Sequence, residues 1–178
     1  MINIREMHQS EIGRIAEIDR SEHVTTGYVY EDGKLSAECV DWRVPRWPIQ
    51  GEGFSVQAHI DAITPILDDG GVLLGDFDEG DRLLGFAVLR YRLADQMAQL
   101  DALFVTRAHR RKGIGTRLTS RVVRLARADG ATQLYVSATP SESAVGFYLS
   151  HGFCLAEEVN QALYAKEPDD IHMIRRLT

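Results

Sequence analysis

One turn constrains this chain more than any other feature. A run of alternating residues ends at Val105, and a helical period begins at Ile114. Between and across that change of period stands Arg110-Arg111-Lys112-Gly113-Ile114-Gly115-Thr116. The helix that follows is marked by Ile114, Leu118, Val122 and Leu125, spaced by four, four and three, and Gly130 supplies its stop. Glycines at a strand-to-helix turn permit positive φ and let a ligand approach the backbone, while the new helix presents N–H groups that no carbonyl within it can take. Such a terminus binds phosphate oxygens, and its dipole adds to the attraction. Arg110, Arg111 and Lys112 would supply counter-charge, so the chemistry fits a pyrophosphate. The spacing is not that of a Walker A loop. Nor is it a dinucleotide fingerprint, because only two of the glycines are present and the preceding strands read as antiparallel.

The surrounding pattern places that turn in a mixed sheet. Ile2 and Ile4 alternate with polar residues as a short strand. Ser10 is a candidate cap for a helix carrying Ile12, Ile15, Ala16 and Ile18 on one face. Tyr28-Val29-Tyr30, the Glu31-Asp32-Gly33-Lys34 turn and Leu35 read as a β-hairpin. Prolines at 45 and 48 hold that segment extended or looped. Ser55 opens a helix through Val56, Ile60, Ile63 and Leu67, which Pro65 should kink or end. Strands at 72–77, 82–92 and 97–105, joined by short polar turns, predict an antiparallel meander. After the helix at 114 come a strand at 132–138 and a second helix with Thr139 as cap and Pro140 at its first position, running to about His151. Strands at 153–159 and 171–177 complete the order. The fold class is mixed α/β, with a central, mostly antiparallel sheet flanked by helices. One domain spans 1–178, and 22–53 is the expected variable insertion.

Composition narrows the function. With 178 residues, 44% hydrophobic and 26% charged, the chain is an ordinary globular domain. No apolar run reaches the ~18 residues of a membrane span, and the N-terminus has no signal-peptide pattern. Cys39 and Cys154 are 115 positions apart and read as free thiols of a reducing cytoplasm, Cys154 as a packed residue of an apolar strand. No metal motif is present: Asp76, Asp78, Gly80 and Asp81 resemble the start of a calcium loop, but its twelfth position is Ala87. A net charge of −6 argues against nucleic-acid binding. That charge is uneven. Residues 47–81 hold eight acids and no lysine or arginine, and residues 102–128 hold eight lysines and arginines and no acid. The pairing predicts one anionic and one cationic partner.

At this point the chain resembles the GCN5-related N-acetyltransferases. Arg110, Gly113 and Gly115 match that family's acetyl-CoA loop, Arg/Gln-x-x-Gly-x-Gly/Ala. Asp81-Arg82-Leu83-Leu84-Gly85-Phe86-Ala87-Val88 looks like its central strand, and Leu100-Asp101-Ala102-Leu103-Phe104-Val105 like the strand feeding the loop. Residues 142–153 look like its later helix, ending in Tyr148 and the Gly152-Phe153 pair. Arg107 departs from a common proline, and Ser141 from a common asparagine seven residues before the tyrosine.

The resemblance implies a direct transfer of acetyl from acetyl-CoA to a primary amine of a small molecule, without a metal. It implies that the loop residues Arg110, Arg111, Lys112, Gly113, Ile114, Gly115 and Thr116 bind the phosphates. The backbone of Leu103, Phe104 and Val105 would hold the pantetheine arm, and Ser141 or Ser143 would take over the asparagine's contact. Tyr148 would be the general acid for the thiolate. Asp101 is the first candidate for the base, ahead of His59, Glu22 and His23. The acceptor would be a small amine, by charge a cationic one, with no membrane or nucleic-acid partner, and a homodimer is left open. The alternative is a non-catalytic acyl-CoA sensor on the same fold.

Overall fold

The computed structural model describes residues 3–51 and 54–177, so Ile2 and the end of the expected insertion lie outside it. Strand β1 (Asn3–Glu6) pairs antiparallel with β4 (Val72–Phe77), which pairs with β5 (Leu83–Ala94), and that with β6 (Met97–Val105). The meander expected from the short turns is present. Beyond it the sheet continues through β7 (Gln133–Ala138), β9 (Ile171–Arg176) and β8 (Cys154–Leu155), in the order β1-β4-β5-β6-β7-β9-β8. Among the described strands only β6 and β7 run parallel, joined by a crossover through helix α2 (Ile114–Ala128).

Both faces of the sheet are covered, as the near-continuous burial of β4 and β5 requires. Leu118, Val122 and Ala126 of α2, with Val145 and Tyr148 of α3 (Glu142–Ser150), pack on Leu74, Ala87, Leu89 and Leu134. On the other face, Ile15 and helix α1 (Val56–Asp68), through Ile63 and Ile66, pack on Leu73, Phe77 and Phe86. Gly85 lets the start of α2 sit close on β5: a Cβ there would come within 2.8 Å of an Ile114 methyl. Burying that layer would be impossible with any side chain at 85 unless α2 moved out.

The hairpin forms as expected but is longer, β2 (Glu22–Glu31) against β3 (Lys34–Val44), around Asp32 and Gly33 at φ 51° and 77°. It docks beside α3, with the Tyr28 amide donating to the Pro140 carbonyl at 2.9 Å.

Five local expectations are corrected. The first helix is a 3₁₀ helix over Gln9–Glu17, capped by His8 and not by Ser10; the His8 ring takes the Ser10 amide, and Glu11 takes the His8 amide. Pro65 ends nothing at once. It stands in the last turn of α1, where only the Asp61 carbonyl loses a partner, and the helix stops three residues later. Helix α3 begins two residues late, with Ser141 as its cap, because Pro140 uses its carbonyl on the hairpin. The strand expected over 153–159 shrinks to β8, and the short helix α4 (Gln161–Lys166), which the period did not show, follows under the cap of Asn160. Cys154 is exposed rather than packed.

Candidate active site

The sheet parts in its middle. Strands β6 and β7 are joined only where Met97, Ala98 and Gln99 face Gln133, Leu134 and Tyr135. Beyond that, β6 runs to Val105 and β7 to Ala138 with no pairing between them, so a wedge opens, and the bare backbone edge of β6 lines one side of it. The direction of that edge follows from register. The Thr106 amide donates to the Leu84 carbonyl at 2.9 Å. In an antiparallel pair this commitment alternates, so Thr106 and Phe104 turn their backbone groups to β5, whereas Val105 and Leu103 turn theirs into the wedge. Of the three residues expected to hold an extended arm, Leu103 therefore offers its backbone groups and, since the Val105 carbonyl accepts from Arg110 Nε, Val105 offers its amide. Phe104 does not: its ring lies on the opposite face, 4.7 Å from Trp47 and 5.4 Å from Phe86.

At the end of β6 the chain turns through a 3₁₀ segment (Arg107–His109) into the glycine turn. Arg111 has φ 59° and Gly113 has φ 80°. Gly113 is the N-cap of α2, and no side chain among the described residues caps that helix. The first bond inside α2 runs from the Arg117 amide to the Gly113 carbonyl at 3.0 Å, which leaves the amides of Ile114, Gly115 and Thr116 without helical acceptors at the positive end of the dipole. Free amides at a helix start are the kind of donors that suit an anion.

The basic side chains behave differently from the expectation. Arg110 faces inward and does not project counter-charge: Nε donates to the Val105 carbonyl at 3.2 Å, Nη2 to the Arg20 carbonyl at 2.8 Å, and Nη1 lies 3.1 Å from Glu22. Arg111 and Lys112 are exposed and remain the loop's outward charges. The Thr116 hydroxyl is bonded to His151 Nε2 at 2.9 Å, while His151 stacks on Phe147.

Tyr148, on α3, is 8% exposed, with its ring edge-on to Phe147 and Phe153. Burial pushes its phenol above the ordinary value, and nearby Asp170 adds to the push, so the hydroxyl stays protonated. Ser141 is spent as the α3 cap, taking the Ala144 amide and lying 3.1 Å from the Ser143 hydroxyl; Ser143 is exposed.

Asp101 is the extra residue of a β-bulge. Ala102 faces Val88 and Leu100 faces Leu89, and Asp101 stands between them unpaired, at the point where the wedge begins. Such bulges re-aim a side chain. Here the carboxylate meets Gln99, whose Nε2 donates to Oδ1 at 3.1 Å. Desolvation raises the Asp101 carboxyl to about 6, helped by the negative charge of Glu167 and opposed by Arg90 and Lys166. Asp170, just before β9, is raised to about 7 by burial and by Glu167 and Asp169.

The other base candidates are committed elsewhere. Glu22 pairs with Arg110, and His23 with Asp41 on the hairpin. His59 lies against Trp47 and uses Nδ1 on the Ser55 carbonyl, and burial pulls its pKa down.

Sequence reasoning missed Gln99, Glu167 and Asp170. Nothing in their spacing separates them from ordinary polar positions, since the bulge and α4 bring them to the wedge. The acid-rich run at 47–81, in turn, does not gather into one charged surface among the described residues. Asp81 pairs with Arg14, Asp78 accepts the amides of its own turn, Asp68 meets Gln9, and Asp76 is buried against Arg117. A shallow cleft of about 220 Å³ beside Gly70, Tyr91 and Asp129 is lined by none of the site residues above.

A family model, the acetyltransferase (GNAT) family, matches residues 36–153. The chain belongs to the GNAT acetyltransferases. It is therefore an acyltransferase, and the sequence resemblance stands. No curated protein matches its sequence. Among solved structures, it is similar to nourseothricin acetyltransferase, at a TM-score of 0.75 and 20% identity over 99% of both chains. It is also similar to a protein of Bacillus anthracis str. Ames described as a streptothricin acetyltransferase and bound to acetyl coenzyme A, at a TM-score of 0.73 and 17% identity over 100% of this chain and 99% of that one. A third is the PaiA N-acetyltransferase of Thermoplasma acidophilum bound to coenzyme A, with a TM-score of 0.63 and 17% identity over 99% of each chain. At these identities the likeness is one of fold. Among the described residues, no helix is long and apolar enough to cross a membrane.

Proposed function

We propose that this GNAT acetyltransferase moves an acetyl group from acetyl-CoA to a primary amine of a small molecule, by direct transfer with both substrates bound. The wedge carries the proposal. It sets a bare strand edge at Leu103 and Val105 directly before the uncapped start of α2, which suits a donor with an extended amide-bearing arm and a pyrophosphate. The amides of Ile114, Gly115 and Thr116 take the phosphates, and Arg111 and Lys112 add charge from outside. Leu103 and Val105 bind the arm as an added strand, and one of their amides polarises the thioester carbonyl.

Acetyl-CoA supplies the acyl group activated as a thioester. Asp101 takes a proton from the acceptor ammonium, freeing the nitrogen lone pair to form the new C–N bond. As the C–S bond breaks, Tyr148 gives its proton to the sulfur, and the second amine proton restores the phenol. A carboxyl held near 6 is ionised at neutral pH yet basic enough to accept that proton.

The acceptor enters from the face of Trp47, His59 and Phe104, where the Trp47 Nε1–H is buried without an acceptor among the described residues. The negative charge of Glu167 helps to raise both Asp101 and Asp170, and these acids, not the acid-rich run, favour a cationic amine. The test is thiol release from acetyl-CoA across a panel of polyamines, aminoglycoside-like amines and amino acids. Turnover that is highest for multiply charged amines and falls as salt rises supports the reading. Tight CoA binding with no thiol release for any amine would replace it with the sensor reading.

A further inference from the structure

Asp76 is a carboxylate with no access to solvent, on β4 beneath the first turn of α2. Its Oδ2 receives two bonds from Arg117, from Nη2 at 2.8 Å and from Nε at 3.2 Å. Its Oδ1 has no donor among the described residues, so this one guanidinium is its whole pairing. The third arm of the fork points elsewhere. Arg117 Nη1 donates to the Lys112 carbonyl at 3.2 Å, and the same nitrogen stands 3.3 Å from where a Gly113 Cβ would be. A single planar cation thus ties the sheet floor to the peptide that turns into the left-handed Gly113.

Two physical points make this arrangement unlike a plain stabilising pair. A cation in the first turn of a helix opposes the dipole there. A buried ion pair is also often no more stabilising than apolar side chains of the same volume. Stability therefore gives little reason for an arginine at 117 with an aspartate under it. Geometry gives one. The Lys112–Gly113 peptide must be held in one orientation if the amides that follow are to converge on one anion. Lysine could not do this, since one point charge cannot span Asp76 and the Lys112 carbonyl at once.

We infer that Asp76 and Arg117 are positioning residues for the phosphate-binding turn, acting through the Lys112 carbonyl and touching no substrate themselves. The inference rests on the acetyl-CoA reading above, and it deepens that reading by assigning the pair to the phosphate end of the donor alone. The arm and the thioester are held by β6, which the pair does not touch.

The experiment compares two acetyl donors, acetyl-CoA and S-acetylpantetheine, which has the arm and thioester but no pyrophosphate. Asp76→Leu alone would strand a buried guanidinium and risks misfolding, so the main variant is Asp76→Leu/Arg117→Met, which removes both charges and keeps the volume. We expect kcat/KM for acetyl-CoA to fall about 10-fold, chiefly through KM, as the loss of one charge-assisted bond predicts. With S-acetylpantetheine it should stay within about twofold, since the lost bond acts only at the phosphate end. Arg117→Lys, which keeps the charge but not the fork, should retain the thermal midpoint and show the same donor-selective loss. Equal losses with both donors, or no loss with either, would overturn the inference while leaving the acetyltransferase reading intact. A wild-type protein that neither binds CoA nor releases thiol would overturn the reading beneath it.

Discussion

Replacing Gly113 by alanine tests the turn at its most demanding atom. Gly113 has φ 80° and ψ 3°, a left-handed conformation that costs an L-residue roughly 1–2 kcal/mol. Space adds a smaller strain, since the new methyl would stand 3.3 Å from Arg117 Nη1, which must give slightly against its bond to the Lys112 carbonyl. The cost can surface in two ways. If the turn keeps its shape, the native state carries the strain and the melting midpoint falls by about 2–8 °C for a chain this long. If the turn relaxes, the amides of Ile114, Gly115 and Thr116 diverge and CoA affinity falls. At 1.36 kcal/mol per tenfold, the same strain then appears as about a 5–30-fold rise in Kd. Gly33 is the control: φ is 77°, nothing lies within 4 Å of its would-be Cβ, and it sits at the hairpin tip. Gly33→Ala should lose a similar amount of stability and bind CoA normally. Calorimetric titration with CoA, beside thermal unfolding of both variants, separates the cases. The reasoning is refuted if Gly113→Ala binds CoA like the wild type while melting no lower than Gly33→Ala. The left-handed turn would then be a feature of the chain path and not of phosphate binding.

Three further outcomes are expected. Tyr148→Phe keeps the packed ring and deletes the donor, so kcat should fall by about 10²–10⁴-fold with the CoA Kd unchanged; an unaltered kcat would make Tyr148 structural. Asp101 must be ionised to accept a proton, so kcat/KM for the amine should rise with pH through about 6, and Asp101→Asn should abolish that limb; a wild-type profile with no inflection there removes Asp101 as the base. Asp170, raised from 3.8 to about 7, binds its proton more tightly folded than unfolded. The stability it contributes is present below about pH 4 and is lost as pH rises through 7, so Asp170→Asn should raise the melting midpoint more at pH ~8 than at pH ~5; the opposite order would contradict the burial of that carboxyl.

Local chemistry was largely legible in the residues. The glycine turn, the hairpin at Asp32-Gly33, the Ser55 cap and the α2 stripe ending at Gly130 each follow from short-range physics: φ > 0, an unmet amide, or an apolar repeat. One misreading was local, and the larger ones concerned groups whose partners lie far along the chain. Ser10 looked like a cap because serine often is one, but the 3₁₀ turn set by Arg5, Glu11 and His8 placed the boundary two residues earlier. Arg110 looked like counter-charge, but the Arg20 carbonyl and Glu22, about 90 positions away, claim it. The acids of 47–81 looked like one electrostatic surface, but Asp68 and Asp81 are taken up by Gln9 and Arg14 of the first 3₁₀ helix, and Asp76 by Arg117 of α2.

The wedge is the extreme case of that limit. Its two walls, β6 and β7, were both expected from alternation, and their parallel joining through α2 is the ordinary crossover. What the period could not show is where pairing stops. That depends on the Asp101 bulge, which kinks β6 where it leaves Gln99, and on Thr106, which commits one set of backbone groups to β5 and leaves the other bare. Alternation along a strand says which face a side chain takes. It says nothing about which edge carries an unpaired amide, because that is decided by a neighbour's register. In the proposed function the unpaired edge is the functional element, so the residues that would make the site are ordinary strand residues, Leu103 and Val105, whose side chains pack in the core. Their chemistry resides in the backbone, and only a strand that ends its pairing early exposes it.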